Sequence, residues 1–184
     1  MKDGILQELL DRQENLARRL HQSDALNNAR FGKIRELLNH QAIIETVLRL
    51  GVALDEQDWV GVASCLATEI ETDYSSFRGA PPTRLSNNEF VALRQAALSG
   101  LRTQHLSLNH LVSVDPSGAT CRTDCVIHRW PTDPTDPRFF HSYGYYHYGL
   151  IHVESTWLIH AITQVVLRSD GDPMLHGALR ASDP

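Results

Sequence analysis

The spacing of apolar residues divides the chain into a helical first half and a strand-rich second half. Apolar positions recur every three to four residues from about Phe31 to Ala53, which predicts an amphipathic helix. A charged helix is predicted over residues 4–21, and a loop over residues 23–30. Asp58 and Ser86 stand where the N-caps of two further helices are expected, and a glutamate three residues after Ser86 completes a capping box.

After Gly100 the period changes to the alternation of apolar and polar residues that is typical of strands. Five strands are expected, over residues 69–77, 103–115, 119–130, 139–154 and 157–169. Because helices come first and a meander of antiparallel strands comes last, the order predicts an α+β fold. In such a fold a curved antiparallel or mixed sheet wraps around the helices.

The predicted organisation is one domain with two appendages. An N-terminal helical extension covers residues 1–30, the α+β domain covers residues 31–170, and a loose C-terminal tail covers residues 171–184. A chain of 184 residues with 42% hydrophobic residues is long enough for one sizeable core and short for two.

Composition excludes several classes of partner. The net charge is −5 and the basic residues are dispersed, so a nucleic-acid partner is not expected. No stretch approaches the roughly 18 apolar residues of a membrane span, and the N-terminus lacks the apolar region of a secretory signal. Three cysteines without a Cys-x-x-Cys pair favour a reducing compartment. A cytoplasmic protein is the resulting expectation.

The candidate chemistry is proton transfer. Asp55, Tyr74 and His105 offer a carboxylate, a phenol and an imidazole, which together form a metal-free acid/base set if the fold brings them together. The metal-binding patterns His-Glu-x-x-His and His-x-His are missing, so no metal site is expected. The sequence also lacks the Gly-x-Ser-x-Gly elbow of a nucleophilic serine and any glycine-rich nucleotide loop.

Two strands leave alternatives open. Alternation places His105, Ser107 and Asn109 on one face of their strand. That face either meets water or lines a polar pocket, and in the second case the aliphatic face meets another subunit. On a later strand, Tyr146 and Tyr148 are assigned to a pocket, although four tyrosines in one strand are also compatible with a core.

Three runs in this order resemble a known family. They are Ala53–Trp59 (ALDEQDW), Thr72–Phe77 (TDYSSF) and Leu101–His105 (LRTQH), and they are followed by His128. The set resembles the scytalone dehydratases and the wider SnoaL-like proteins of the nuclear-transport-factor-two superfamily, over roughly residues 35–170. The resemblance implies a cone-shaped α+β barrel around a deep apolar pocket, with no metal and no organic cofactor.

By position, the resemblance implies a role for each site residue. His105 would be the general base and acid, Asp55 its orienting carboxylate, and Tyr74 the group that holds a water or activates the substrate carbonyl. His128 would be a second pocket imidazole. The residues expected to contact substrate are Leu54, Trp59, Phe77, Asn109, Tyr146 and Tyr148.

Two positions depart from the dehydratase pattern. The tyrosine that precedes the dyad aspartate is replaced by Leu54, and the pocket asparagine of the fourth strand falls at Tyr146. Because two tyrosines share the water on the substrate carbonyl in that family, the loss of one indicates a different substrate. The chemistry class is expected to persist, since the Asp55–His105 pair is intact.

The expected function is that of a lyase: a cofactor-independent dehydratase acting on a small cyclic polyketide- or terpenoid-like hydroxy-carbonyl compound of secondary metabolism. The same dyad would serve an isomerase, a cyclase or a dehydrohalogenase, and the fold also hosts non-catalytic binding proteins. The partners expected are a small-molecule substrate and further copies of the chain, with a trimer favoured and a dimer as the alternative.

Overall fold

The structure is a computed structural model that describes the backbone of residues 2–177 and the side chains of residues 4, 8 and 12–177. The chain divides into two units, one up to Asn39 and one from His40 onward. The first unit is wholly helical, and its apolar side chains Leu16, Leu20 and Leu26 are exposed. The second unit holds the sheet, the core and the candidate site.

The first helix, α1, runs without interruption from Lys2 to Glu56. The loop predicted over residues 23–30 is therefore wrong. Serine, aspartate and asparagine there suggested a break, because their side chains compete with the helical backbone for hydrogen bonds. The segment contains neither glycine nor proline, so nothing in it forces the helix to end.

Three shorter helices follow; the caps of the first and the third agree with the sequence signals, whereas the second was not predicted. Helix α2 covers Trp59–Ser64 and begins at Asp58, whose carboxylate accepts a hydrogen bond from the Gly61 backbone N–H at 2.9 Å. Helix α3 covers Ser75–Arg78. Helix α4 covers Asn87–Leu98 and begins with the predicted capping box of Ser86 and Glu89.

Six strands form one open mixed sheet. They are β1 (Leu66–Asp73), β2 (Thr83–Ser86), β3 (Leu101–Asp115), β4 (Gly118–Pro131), β5 (Phe140–Val153) and β6 (Thr156–Gly171). Their order across the sheet is β2-β1-β6-β5-β4-β3. The meander from β3 to β6 is antiparallel, as predicted, whereas β1 pairs parallel to β6. The α+β class predicted from the sequence is confirmed.

The first strand is shorter than predicted. It ends at Asp73, where the carboxylate accepts a hydrogen bond from the Ser75 backbone N–H at 2.9 Å and turns the chain into α3. Tyr74 therefore stands at the start of a short helix instead of inside a strand, and Phe77 lies within that helix. The turn moves both aromatic side chains toward the interior of the second unit.

The core of the second unit lies between the last turns of α1 and one face of the sheet. Ile43, Val47 and Leu50 from α1 are buried together with Ile70 of β1 and Ile159 of β6. Burial of these aliphatic side chains supplies the main driving force for the fold, at roughly 1.5–3 kcal/mol for each one. No described helix is long and apolar enough to cross a membrane.

The loose tail predicted from residue 171 is wrong for the part that the structure describes. A short 3₁₀ helix covers Pro173–Leu175, and Leu175 is buried against Leu101 and Phe140. His176 is only 2% exposed. Residues 178–184 of the predicted tail lie outside the described residues.

Candidate active site

A cavity opens between the end of α1, the helices α3 and α4 and the inner face of the sheet. Its volume is about 50 Å³, measured as the space open to the centre of a water molecule. One water needs at least about 10–15 Å³ on that scale, so the cavity holds a few waters or a compact organic ligand. Its polar and aromatic lining includes Tyr74, Phe77, Arg94, His105, Ser107, Arg129, Tyr146, Tyr148, Gln164 and His176.

His105 lines this cavity, and Asp55 contacts it from outside the lining. Asp55 comes from the last turn of α1 and His105 from the first third of β3, 50 residues later. The His105 Nδ1 lies 2.5 Å from the Asp55 Oδ1, and the two side chains are 13% and 21% exposed. The contact predicted from the sequence is therefore present in a largely buried setting.

Two further bonds hold the carboxylate in place. The His105 backbone N–H donates to the Asp55 Oδ2 at 2.7 Å, and the Thr103 hydroxyl donates to the Oδ1 at 2.8 Å. Burial by itself would raise the pKa of Asp55, but these bonds and the charge of His105 outweigh burial, so the pKa lies below its ordinary value. Asp55 is therefore ionised near neutral pH.

The ionised carboxylate determines which tautomer His105 adopts. A carboxylate only accepts hydrogen bonds, so the Nδ1 of His105 must carry the proton that is shared with Asp55. The Nε2 of the neutral ring then carries a lone pair, and no described residue donates to it. His105 lines the cavity, so this lone pair is available to a ligand as a base.

Three tyrosines share the cavity with this base. Tyr74 is 7% exposed, and Tyr146 and Tyr148 stack on each other with ring centroids 5.3 Å apart. Burial raises the pKa of Tyr146 and of Tyr148 well above the ordinary value, so both remain neutral phenols that can donate a hydrogen bond. The structure shows no hydrogen bond from these three hydroxyls to any described residue, and all three residues line the cavity.

The cavity is more basic than the sequence suggested. The family resemblance implied a deep apolar pocket, and that expectation is wrong because Arg94 and Arg129 both line the cavity. The Arg129 residue is 3% exposed, and burial lowers its pKa to about 10. The Cζ atoms of Arg94 and Arg78 lie 5.0 and 4.6 Å from the centroid of the Tyr74 ring, which places cations on its face.

His128 does not line the cavity, so its predicted role as a second pocket imidazole is wrong. On β4 the odd-numbered residues Ile127 and Arg129 are buried against the interior, whereas His128 lies on the opposite face. Its ring contacts those of Trp130 and His141, with centroids 5.4 and 4.5 Å away. The inward position next to it belongs to Arg129.

Asn109 is also excluded from the cavity lining. A bulge interrupts the pairing of β3 and β4 between Leu108 and Leu111, and Asn109 has a left-handed backbone with φ of 52°. The extra residue ends the strict alternation, and the exposed Asn109 side chain donates to Asp124 at 2.8 Å. Its predicted contact with substrate is therefore wrong.

The remaining substrate-binding predictions divide in two. Leu54, Phe77, Tyr146 and Tyr148 line the cavity. Trp59 does not, because it begins α2 and packs half-buried against the main core.

Several lining residues were missed by the sequence analysis, most importantly Arg129. A signal for it existed: Cys121, Cys125 and Ile127 define the buried face of β4, and Arg129 continues that face at the same spacing of two. Cys125 also lines the cavity, and burial raises the pKa of its thiol to about 11, so it is not a ready nucleophile. Within the described residues, no group of three or more His, Cys, Asp or Glu side chains is placed to hold a metal ion.

The SnoaL-like domain family matches residues 35–163 of the chain. The protein belongs to this family. A comparison with curated proteins finds no match. The match spans the last turns of α1, the helices α2–α4 and the sheet as far as β6, and so includes both members of the dyad.

Solved structures of low sequence identity share the fold. The Kfla4162 protein from Kribbella flavida is 18% identical with a TM-score of 0.67, over 71% of this chain and 91% of that one. A protein from Novosphingobium aromaticivorans that is provisionally assigned as a scytalone dehydratase is 16% identical with a TM-score of 0.64, over 74% and 89%. The hexachlorocyclohexane dehydrochlorinase LinA-type3 from Novosphingobium barchaimii is 11% identical with a TM-score of 0.63, over 78% and 97%. At these identities the likeness shows the fold alone.

Proposed function

We propose that the protein is a dehydratase that removes water from a small hydroxy-carbonyl compound by general acid/base catalysis. The observation that carries the proposal is the Asp55–His105 contact of 2.5 Å in the wall of a cavity that three unpartnered phenols also line. The names of two proteins with the same fold, a provisional scytalone dehydratase and a dehydrochlorinase, are consistent with an elimination reaction.

The proposed reaction begins at the Nε2 of His105. This nitrogen takes the proton from the carbon next to the substrate carbonyl, and the electrons of the C–H bond form an enolate. The enolate then re-forms the carbonyl as the C–O bond of the neighbouring hydroxyl-bearing carbon breaks. The leaving hydroxide receives the same proton from His105, so the products are water, an unsaturated carbonyl compound and the enzyme in its starting state.

The tyrosines would stabilise the enolate oxygen. Tyr146 and Tyr148 stay protonated because burial raises the pKa of each phenol, and a neutral phenol donates a hydrogen bond to a developing negative charge. Tyr74 lies beside two arginines that hold positive charge on its ring face, which strengthens its hydroxyl as a donor.

The cavity favours a compact substrate. A volume of about 50 Å³ leaves little room for the polyketide- or terpenoid-like ring expected from the sequence. A hydroxy-ketone or hydroxy-aldehyde of a few carbon atoms suits this space, with its carbonyl toward the tyrosines and its acidic C–H toward His105.

The test is a screen for proton abstraction and loss of water. The protein is incubated in D₂O with a panel of small hydroxy-carbonyl compounds, and deuterium incorporation and product mass are followed by NMR and mass spectrometry. His105→Gln should lower turnover by about a hundred- to ten-thousand-fold. His128→Gln is the matched control, because that imidazole lies on the outer face of the sheet and should leave turnover unchanged.

Product mass separates the related reactions. Dehydration lowers the mass of the substrate by one water, whereas isomerisation or cyclisation by the same base leaves the mass unchanged. A dehydrohalogenase would act on the chloro analogues of the panel and spare the hydroxy compounds. Normal turnover by His105→Gln would refute the proposed base, and no exchange or product from any compound would support a non-catalytic binding protein instead.

A further inference from the structure

Arg129 is a buried cation without an anionic partner. The residue is 3% exposed, and its guanidinium makes one hydrogen bond to a described residue, from Nη1 to the Ser142 hydroxyl at 3.0 Å. Its Nε has no hydrogen-bond partner among the described residues. None of the ion pairs in the described part of the chain involves Arg129.

An arrangement of this kind needs an explanation, because a buried charge is costly unless it is paired. Contacts with the rings of Phe77 and Phe140, whose centroids lie 5.7 and 5.3 Å from the Cζ, compensate only part of that cost. The titratable neighbours that act on the guanidinium are Tyr146, Cys125 and Arg94, and no carboxylate is among them. Arg94 adds a second cation, whose own Nε is also buried and without a partner.

The guanidinium is also close to the proposed base. In the β3–β4 pairing, Arg129 stands opposite Thr103, and His105 is two residues farther along β3. Residues so related are diagonal neighbours on the same face of a sheet, with backbones roughly 7–8 Å apart. Both side chains line the same cavity, so one ligand that fills the cavity can contact both of them.

We propose that Arg129, assisted by Arg94, binds a carboxylate of the substrate, so that the enzyme acts on small hydroxy acids that also carry a carbonyl group. This inference rests on the proposed function for the reaction, but the binding step does not depend on it. In this arrangement the carboxylate anchors the substrate, the carbonyl faces the tyrosines, and the carbon that loses its proton faces His105.

The cavity fits a carboxylate better than a phosphate. A guanidinium presents parallel N–H donors that match the two oxygens of a planar carboxylate. A phosphate dianion needs more donors than one fully buried arginine and one half-buried arginine supply, and a volume of about 50 Å³ leaves little space for it together with a reacting carbon skeleton. The carboxylate and its one negative charge are therefore the group to test.

The experiment measures binding without turnover. Sodium propanoate is titrated into the ¹⁵N-labelled protein at constant ionic strength, and binding is followed by NMR through the backbone amide signals of the cavity-lining residues, with the Nε–H signal of Arg129 as a second readout where that arginine is present. Propanamide is the uncharged isostere, and inorganic phosphate is the competing anion. The variants are Arg129→Met, Arg129→Lys, His105→Gln and Arg122→Met, the last as a control because Arg122 lies on the outer face of β4 and pairs with Asp124 at 3.0 Å.

Propanoate should bind saturably to the wild type, to His105→Gln and to Arg122→Met, and propanamide should bind at least tenfold more weakly. Arg129→Met should weaken propanoate binding by about a hundredfold. Arg129→Lys keeps a cation but loses the two parallel bonds, so it should still weaken binding by about tenfold and serves if Arg129→Met does not fold. Equal binding of propanamide, unchanged binding by the Arg129 variants, or tighter binding of phosphate than of propanoate would each overturn the proposal.

The two proposals fail separately. If propanoate binding depends on Arg129 but no carbonyl compound is turned over, the proposed dehydratase activity is refuted and the carboxylate site is retained. The second outcome is turnover of neutral hydroxy-ketones that depends on His105, with kcat/KM values as high as those of the matching keto acids, and no binding of propanoate. This outcome would refute the carboxylate site and leave the proposed dehydratase activity intact.

Discussion

Replacing Asp55 with asparagine tests the central contact with almost no change in shape. The carboxylate accepts three hydrogen bonds, from the Thr103 hydroxyl, the His105 ring and the His105 backbone N–H. An asparagine has one accepting oxygen and one donating NH₂ group. The backbone N–H can only donate, so the amide oxygen must turn toward it, and the NH₂ group then faces the His105 ring.

This rotation should reverse the tautomer of His105. An NH₂ group at the former Oδ1 position requires an acceptor, so the Nδ1 must give up its proton and the Nε2 must carry it. A protonated Nε2 has no lone pair for the substrate. We therefore expect Asp55→Asn to lower kcat by about a hundred- to ten-thousand-fold, which is the usual contribution of a positioned general base.

The same bonds determine the cost in stability. A hydrogen bond to a charged group contributes about 1.5–3 kcal/mol and a neutral one about 0.5–1.5 kcal/mol. Converting three bonds from charged to neutral costs about 1–1.5 kcal/mol per bond, so the free energy of unfolding should fall by about 3–4.5 kcal/mol if the three contributions add. Denaturant titration measures this change. Asp124→Asn is the control, because that carboxylate lies on the outer face of β4, away from the cavity, and is partly exposed.

Long-range ¹H–¹⁵N NMR of the histidine ring gives the decisive readout, because it identifies the protonated nitrogen without any substrate. The wild type should show His105 protonated at Nδ1, and Asp55→Asn should show it protonated at Nε2. An Asp55→Asn protein that keeps the Nδ1 proton, or that turns over substrate at the wild-type rate, would refute the argument that the carboxylate orients the base.

Three further predictions follow from the same structure. Because the pKa of Asp55 is lowered in the folded state, its stabilising effect is complete above the ordinary value of 3.8 and is lost as the pH falls from there through the folded-state pKa. The free energy of unfolding should therefore fall less steeply with acid for Asp55→Asn than for the wild type. Parallel curves of the free energy of unfolding against pH would contradict this. Tyr146→Phe should lower kcat by about ten- to a hundredfold with little change in melting temperature, because the Tyr146 hydroxyl bonds to no described residue. Tyr145→Phe is the control, and an equal loss of kcat in that variant would show that altered packing, not the lost hydroxyl, is the cause. We also expect a homo-oligomer, with a trimer favoured, through the outer face of β3, where Leu108 and Leu111 are 51% and 65% exposed. The mass of the wild type measured by light scattering should exceed that of one 20.7 kDa chain, and Leu111→Glu should reduce the measured mass. A wild-type monomer at micromolar concentration would contradict the expectation.

The contact between Asp55 and His105 could be predicted because both residues lie in runs that resemble the SnoaL-like family. Asp55 closes the long apolar helix, and His105 lies in a strand whose alternation is visible without coordinates. The caps at Asp58 and Ser86 were equally accessible, since an N-cap depends on one side chain and the backbone two or three residues later. Interactions between residues this close in the chain can be predicted from the sequence.

The faces of the strands were harder to assign, and the reasons differ. Alternation shows that His128 and Arg129 point in opposite directions, and the apolar residues of β4 indicate that the face of Arg129 is the inner one. An arginine was nevertheless not assigned to the interior, because charged residues are rarely buried without a partner. The bulge before Leu111 changes the face of every later residue, and the positive φ of Asn109 leaves no clear signal in the sequence. The corrections at His128 and Asn109 arise from these two effects.

By itself, the sequence determined the fold class and the helix caps, because each depends on interactions between residues that are near in the chain or on a repeated spacing. The pairing of Asp55 with His105, 50 residues apart, was predicted through the family resemblance. Only the tertiary structure decided that an arginine, and not a histidine, stands beside that pair. Residue order specifies a charge, but the absence of a counter-charge around Arg129 is a property of all the elements that meet there. The proposed acid/base chemistry could therefore be inferred from the sequence, and the proposed recognition of a carboxylate could not.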